Sequence, residues 1–307
     1  MLTGKGTVDL WPEDRAMPHT ALKGRIGAAT ALYGMLTDRI DADLLDAAPH
    51  LAVVSQMAVG VDNVDVAACT ERGIPVGHTP DVLTETVADT AFGLLIAAAR
   101  RFGEGVDYVR AGRWVRWEPD LLLGSDVHGS VLGIVGLGRI GAAVARRARG
   151  FGMTIVYTGR APRPEAAELG ARFLPLDELL PAADHVVVTA MLTAETRHLI
   201  DADAFAAMKP TATLVNVSRG GLVDTDALVA ALRSGDIEAA ALDVTDPEPL
   251  PADHELVGLG NCIVLPHLGS SSAQTRTAMA ELAAENLIAG LRGARLPACA
   301  NPEVYDR

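Results

Sequence analysis

The stretch Val131-Leu-Gly-Ile-Val-Gly136-Leu-Gly138-Arg-Ile-Gly141 decides the fold. Its first five residues are apolar or small, as a parallel strand buried on both faces requires. Its glycines then follow the spacing G-x-G-x-x-G where the strand gives way to an amphipathic run over 140–151. In that spacing the first glycine permits a tight turn, the second lets the backbone approach a pyrophosphate and the third lets helix pack on strand. The N–H groups and positive dipole end of the helix face the phosphates. The stretch therefore predicts a dinucleotide-binding loop at the head of a βαβ unit.

Working outward, short apolar runs at 153–158, 185–189, 213–217, 239–244 and 263–265 alternate with helical ones such as 225–234. That rhythm predicts a doubly wound, Rossmann-type parallel sheet. Before it lies a sparser series, with candidate strands at 7–10, 29–34, 51–56 and 75–78 and short helices at 41–48 and 64–72. An Ala/Leu-rich run from Thr84 to about Arg110 leads into the dinucleotide domain, and a long helix over 273–292 follows its last strand. The chain is thus expected to leave a first domain and return to it: 1–97 with 275–307 as one α/β domain, 98–274 as the other.

Composition narrows the function. The 307 residues carry a net charge of −13, with 49% hydrophobic and 21% charged residues. Phosphate backbones and anionic lipids recruit Lys and Arg, so nucleic acid and membrane surfaces are poor partners for this chain. The longest apolar stretch, 91–99, falls well short of the ~20 residues that span a bilayer. Lys5, Asp9, Glu13, Asp14 and Arg15 leave no room for a secretory apolar region. Three scattered cysteines without a C-x-x-C pair argue against a disulfide framework or a cysteine-built zinc site. A cytoplasmic protein with no metal is expected.

The strand after the glycine loop ends Tyr157-Thr158-Gly159-Arg160, with Arg163 close behind. An acid at this strand end binds the adenosine ribose 2′-OH of NAD, whereas Arg suits the 2′-phosphate of NADP. No acid occurs here before Glu165, so NADP(H) is the expected cofactor, with NAD(H) the other option. Three polar residues follow later strands: Arg219 in Asn216-Val-Ser-Arg-Gly-Gly, Glu248 in Asp243-Val-Thr-Asp-Pro-Glu-Pro, and His267 in Pro266-His-Leu-Gly. Carboxyl ends of strands border the ligand crevice in such sheets. There an Arg can fork onto a carboxylate. A His can protonate a carbonyl oxygen while hydride arrives at its carbon, and a neighbouring carboxylate orients the imidazole. The trio suits reduction of a 2-oxo acid.

With these residues in place, the chain resembles the D-isomer-specific 2-hydroxyacid dehydrogenase family, and within it the glyoxylate/hydroxypyruvate reductase branch. Carrying the resemblance are Val59-Gly-Val-Asp-Asn63, Thr79-Pro-Asp-Val-Leu-Thr84, the glycine loop, Tyr157-Thr-Gly-Arg-Ala-Pro-Arg-Pro164, Ser218-Arg-Gly220, Asp243 through Pro251 and Leu265-Pro-His-Leu-Gly-Ser270. It implies that Arg219 binds the substrate carboxylate, that His267 is the general acid and that Glu248 is its partner. It implies that backbone N–H groups of Val59 and Gly60 hold the substrate carboxylate from the other domain. It places Gly136, Gly138, Arg139, Ile140, Gly141, Thr158, Gly159, Arg160, Arg163, Leu192, Thr196, Val217, Asp243, His267 and Gly269 at the cofactor, with Asp243 at the nicotinamide carboxamide. A homodimer built around the cofactor domain, and a cleft that closes on ligand, are further implications.

The resemblance is incomplete. Family members begin with a strand–helix unit ahead of the segment matching 7–14, so the smaller, flavodoxin-like domain is expected to lack its first unit and to carry an open sheet edge. Val87 stands where many members carry Thr, and Ala190-Met-Leu192 replaces a Pro-containing stretch. Two other readings share the scaffold: a dinucleotide-sensing corepressor with little turnover, and a dehydrogenase of another substrate such as phosphite. A formate enzyme is disfavoured, because it carries Gln where Glu248 stands.

Overall fold

A computed structural model describes residues 6–306 of the chain. The chain divides into two compact units, 1–83 with 272–307, and 84–271.

The smaller unit opens on residues 6–15 without regular structure, so the strand expected at 7–10 is absent. Val8 and Leu10 are exposed there and have no sheet to pack on. The Asp9 carboxylate instead pairs with Arg25, and the Trp11 ring lies beneath the Arg15 and Arg25 guanidinium groups. Then follow α1 (His19–Arg25), β1 (Ala31–Gly34), α2 (Ala42–Asp46), β2 (Val53–Gln56), α3 (Val66–Glu71) and β3 (Val76–Gly77). The three strands are parallel, in the order β1-β2-β3. Asp41 and Asp65 cap α2 and α3 by accepting backbone N–H groups three residues on, the ordinary satisfaction of a helix start.

The larger unit begins with α4 (Thr84–Ala99) and α5 (Phe102–Arg110). The single apolar run over 84–110 is therefore two helices. Ser125 N–H takes the Ala99 carbonyl, and Arg101 turns into the left-handed region at φ 53° while its guanidinium grips Glu104, so the helical ladder cannot continue. The division at 83/84 sits before the expected 97/98 because α4 packs on the larger sheet and its helices. Next come β4 (Val131–Val135), α6 (Arg139–Gly150), β5 (Thr154–Thr158), α7 (Ala166–Leu169), β6 (Ala171–Phe173), α8 (Leu176–Ala182), β7 (His185–Val188), α9 (Ala202–Ala207), β8 (Thr213–Asn216), α10 (Thr225–Ser234), β9 (Ala239–Leu242), α11 (Glu255–Gly258) and β10 (Cys262–Val264). The chain then returns to the smaller unit through α12 (Ala273–Leu291), which lies on β1 and β2 and brings Leu287 against Val53.

The seven strands of the larger sheet are all parallel, in the order β10-β9-β8-β7-β4-β5-β6. The order reverses between β4 and β7, which is where ligands bind in doubly wound sheets. Side chains of β7, β8 and β9 are buried on both faces, as their unbroken apolar sequences require. One register row crosses the carboxyl edge: Thr158, Val135, Val188, Asn216, Leu242 and Val264 lie side by side. Strand β6 is the one strand of this sheet that the sequence hid, since Ala-Arg-Phe is short and carries little strand signature. No helix among the described residues is long and apolar enough to cross a membrane.

Candidate active site

Apart from Thr158, which belongs to the row, every residue singled out in the larger unit lies beyond it or in a loop rising from it. After β4 the chain turns at Gly136, whose φ of +99° only glycine adopts readily and whose backbone lies against Ala190. A Cβ on Gly141 would stand 2.4 Å from the Gly136 carbonyl oxygen, so α6 could not approach β4 with any larger residue. A Cβ on Gly138 would meet open space, as expected where a ligand's phosphates draw near. No side chain caps α6, whereas Asp201, Asp224 and Ser272 cap α9, α10 and α12. The start of α6, with Arg139 and Ile140 in its first turn, thus keeps the polarity that attracts phosphate, and these residues fit a dinucleotide.

Beyond β5, Thr158 is buried and Gly159, Arg160 and Arg163 are exposed. The turn they form is tied down by Arg163 N–H, which donates to the buried Tyr157 hydroxyl at 2.7 Å. Neither the Arg160 nor the Arg163 guanidinium has an ion-pair partner among the described residues. Beyond β7, the 189–197 loop closes on itself: Thr193 N–H donates to the Thr196 hydroxyl at 2.7 Å, and that hydroxyl donates to the Met191 carbonyl at 2.8 Å. Leu192 lies half-buried beside Gly221. Thr196 acts first as a brace for its own loop.

Arg219 leaves β8 through a short extended link containing buried Val217, and its Nη1 donates to its neighbour's carbonyl, Ser218 O, at 2.8 Å. His267 follows β10 with φ 55°, a left-handed backbone that His tolerates better than most residues but still at a cost. Asp243, buried at the end of β9, holds it there. The Asp243 carbonyl accepts His267 N–H at 2.9 Å, and its carboxylate oxygens accept Leu268 N–H at 2.6 Å and Gly269 N–H at 2.8 Å. The expected cofactor ligand is therefore already the clamp of the histidine turn.

Glu248 Oε1 lies 2.6 Å from His267 Nδ1, and Glu248 Oε2 accepts Thr245 N–H at 3.3 Å. Burial pushes the Glu248 carboxyl up, but the bond to His267, its charge, the Thr245 N–H and the Arg219 charge together hold it below the usual carboxylate range. Glu248 is thus an anion at neutral pH. With Nδ1 engaged, Nε2 is the ring nitrogen left to exchange a proton with a ligand. Arg219, Glu248 and His267 thus share one electrostatic neighbourhood within a single unit.

Val59 and Gly60 belong to the smaller unit, in the loop after β2. His78 Nδ1 lies 3.0 Å from Val59 O, and buried Gln56 donates to Gly60 O at 2.6 Å and exchanges two bonds with Asn63. The loop's carbonyls are thereby held inward. Sequence reasoning passed over Gln56, Thr245 and Asn216. The available signal was an amide residue closing a buried strand, as in Val-Val-Ser-Gln56 and Thr-Leu-Val-Asn216.

Comparison with known proteins gives the chain's relatives. Residues 92–269 match the family described as D-isomer specific 2-hydroxyacid dehydrogenase, NAD binding domain. The chain is 48% identical to a glyoxylate reductase of Thermococcus onnurineus, covering 100% of this chain and 93% of that one. It is 47% identical to the human glyoxylate reductase/hydroxypyruvate reductase, over 94% of this chain and 89% of that one. Among solved structures it resembles an NADPH-dependent glyoxylate/hydroxypyruvate reductase of Sinorhizobium meliloti in complex with NADP and malonate. That match has a TM-score of 0.80 and 40% identity, and covers 88% of this chain and 82% of that one.

Proposed function

The chain belongs to the D-isomer specific 2-hydroxyacid dehydrogenase family and is an oxidoreductase that uses a nicotinamide dinucleotide, and from that premise we propose that it reduces glyoxylate and hydroxypyruvate to their 2-hydroxy acids with NADPH preferred over NADH. The observation that carries the reading is the 2.6 Å Glu248–His267 pair with Arg219 as its charged neighbour. Reduced dinucleotide, when bound, supplies the hydride that reaches the substrate carbonyl carbon. Arg219 forks onto the substrate carboxylate and draws electron density from the carbonyl. His267 Nε2 gives its proton to the carbonyl oxygen and is reprotonated from solvent, while Glu248 keeps the ring oriented through Nδ1. In the smaller unit the same reading assigns the N–H groups of Val59 and Gly60 to a substrate carboxylate.

Preference for NADPH rests on the turn after β5. Two exposed guanidinium groups without ion-pair partners among the described residues suit a 2′-phosphate, and no acid before Glu165 is there to accept from a ribose 2′-OH. We further propose a cytoplasmic homodimer. Phe102, Val106 and Val109 form an exposed apolar stripe on α5, which buries no residue, and Trp114 and Trp117 extend it at 62% and 80% exposure. Apolar patches of this kind mark interfaces.

The test is loss of reduced-nicotinamide absorbance with NADPH and NADH offered separately against glyoxylate, hydroxypyruvate, pyruvate and phenylpyruvate. Rapid NADPH oxidation with the first two supports the proposal. Equal rates with NADH would remove the cofactor preference, and no oxidation with either of the two acids would remove the substrate assignment. Light scattering after size exclusion tests the dimer, which Trp114→Asp with Trp117→Asp should convert to monomer.

A further inference from the structure

We propose that Asn216 is the positioning residue for Arg219, setting where the guanidinium stands through the backbone link between them; the proposal rests on Arg219 as the substrate-carboxylate ligand. Asn216 closes β8, one of the inner strands, and is fully buried. Both ends of its side-chain amide are spent on the link to Arg219. Oδ1 accepts Ser218 N–H at 3.1 Å and Nδ2 donates to Arg219 O at 2.9 Å. Its own carbonyl accepts Asp243 N–H at 2.9 Å, which joins the arginine link to the residue that clamps the histidine turn. Ser218 is tied in turn through its hydroxyl to Ala190 O.

A buried amide at the end of an apolar strand is costly to desolvate unless it is bonded. Here both bonds of the side-chain amide go to the link 216–219, so its contribution lies in the shape of that link. Arg219 departs in an extended conformation at φ −142° and ψ 141°, and the next residue turns at once into the short 3-10 turn Gly220–Leu222. The link is fixed at its start by Asn216 and at its end by Gly220, where a Cβ would stand 2.0 Å from Thr245 backbone atoms. Loss of the Asn216 amide frees the start. The long Arg219 side chain converts a small swing there into a displacement of its fork, and misplacement by about 1 Å costs roughly a hundredfold in rate.

The experiment is a double-mutant cycle on the full chain: wild type, Asn216→Ala, Arg219→Ala and the pair. It reads kcat/KM for glyoxylate with NADPH, inhibition by oxamate (an unreactive 2-oxo acid analogue) and the Kd for NADPH. We expect Asn216→Ala to lower kcat/KM roughly tenfold to a hundredfold and to weaken oxamate alike. NADPH binding should stay within about twofold, and on the Arg219→Ala background the further loss should shrink to about twofold or less. The same fold loss on both backgrounds would assign Asn216 to the scaffold at large and overturn the proposal, as would a wild-type rate in Asn216→Ala. A wild-type rate in Arg219→Ala instead removes the arginine reading beneath it. If Asn216→Ala fails to bind NADPH, Asn216→Asp carries the same cycle, since it keeps the acceptor for Ser218 and loses the donor to Arg219.

Discussion

Substitution Gly220→Ala should disable catalysis while sparing the cofactor site. A Cβ built on Gly220 falls 2.0 Å from both the carbonyl carbon and the oxygen of Thr245, and 2.5 Å from Asp246 N. Non-bonded carbons rest about 3.5–4.0 Å apart, so backbone must part from backbone by roughly 1.5 Å. No flexible side chain is there to give way. One side of the contact carries Arg219, and the other carries Thr245, whose N–H holds Glu248 Oε2. The methyl therefore pushes the arginine and the glutamate–histidine pair apart at once. Misplacement of reacting groups by about 1 Å costs roughly 10²-fold, so kcat/KM for glyoxylate should fall about a hundredfold or more. Overpacking should also cost about 1–3 kcal/mol of stability. The glycine loop at 136–141 lies after a different strand, so quenching of protein fluorescence by NADPH should report a nearly unchanged Kd. A folded Gly220→Ala protein with near wild-type turnover would refute the claim that this abutment sets the catalytic geometry.

Three further outcomes are expected. His267→Asn, chosen because Asn also tolerates φ near 55°, should lower reduction about 10²–10⁴-fold with NADPH binding intact; a rate above that range would take proton transfer away from His267. Arg160→Ala should raise the KM for NADPH roughly ten- to a hundredfold through loss of a charge-assisted bond, with the KM for NADH unmoved; equal change in both returns Arg160 to an ordinary surface role. Asp184 is pushed up by burial but held below the usual carboxylate range by Lys209 at 2.7 Å and Val131 N–H at 2.8 Å. A depressed carboxyl stabilises the fold above its unfolded value and stops doing so as pH falls through its folded one. Asp184→Asn should thus cost about 1 kcal/mol at pH 7, after allowance for solvent screening, and the gap to wild type in urea melts should close toward pH 2; a gap that persisted in acid would mean that the charge is not what matters.

The larger unit was legible because its strands announce themselves. Apolar runs buried on both faces, glycine spacing and a polar residue after each strand end all carry local signals. Strand β6 was not, since Ala171-Arg-Phe173 pairs only because β5 offers an edge. The break between α4 and α5 was hidden too, because a carbonyl captured from 26 residues away by Ser125 and the left-handed turn at Arg101 make it, and neither has a local sequence signal. Residues 7–10 have strand-like composition and no partner strand, and without a partner composition decides nothing. At the site, side chains that act outward were readable by type. Those that act inward, such as Asn216 on its link and Asp243 on the His267 turn, become visible only when the bonds are traced.

The turn after β5 touches the rest of the fold through little more than Arg163 N–H on the Tyr157 hydroxyl, and its charges point to solvent. The register row, the glycine loop and the Asn216 and Asp243 clamps all stand clear of it. If the turn selects the coenzyme as proposed, that choice is a detachable trait of this scaffold. Redrawing the charges of residues 159–165 should then alter the proposed preference for NADPH without disturbing core packing.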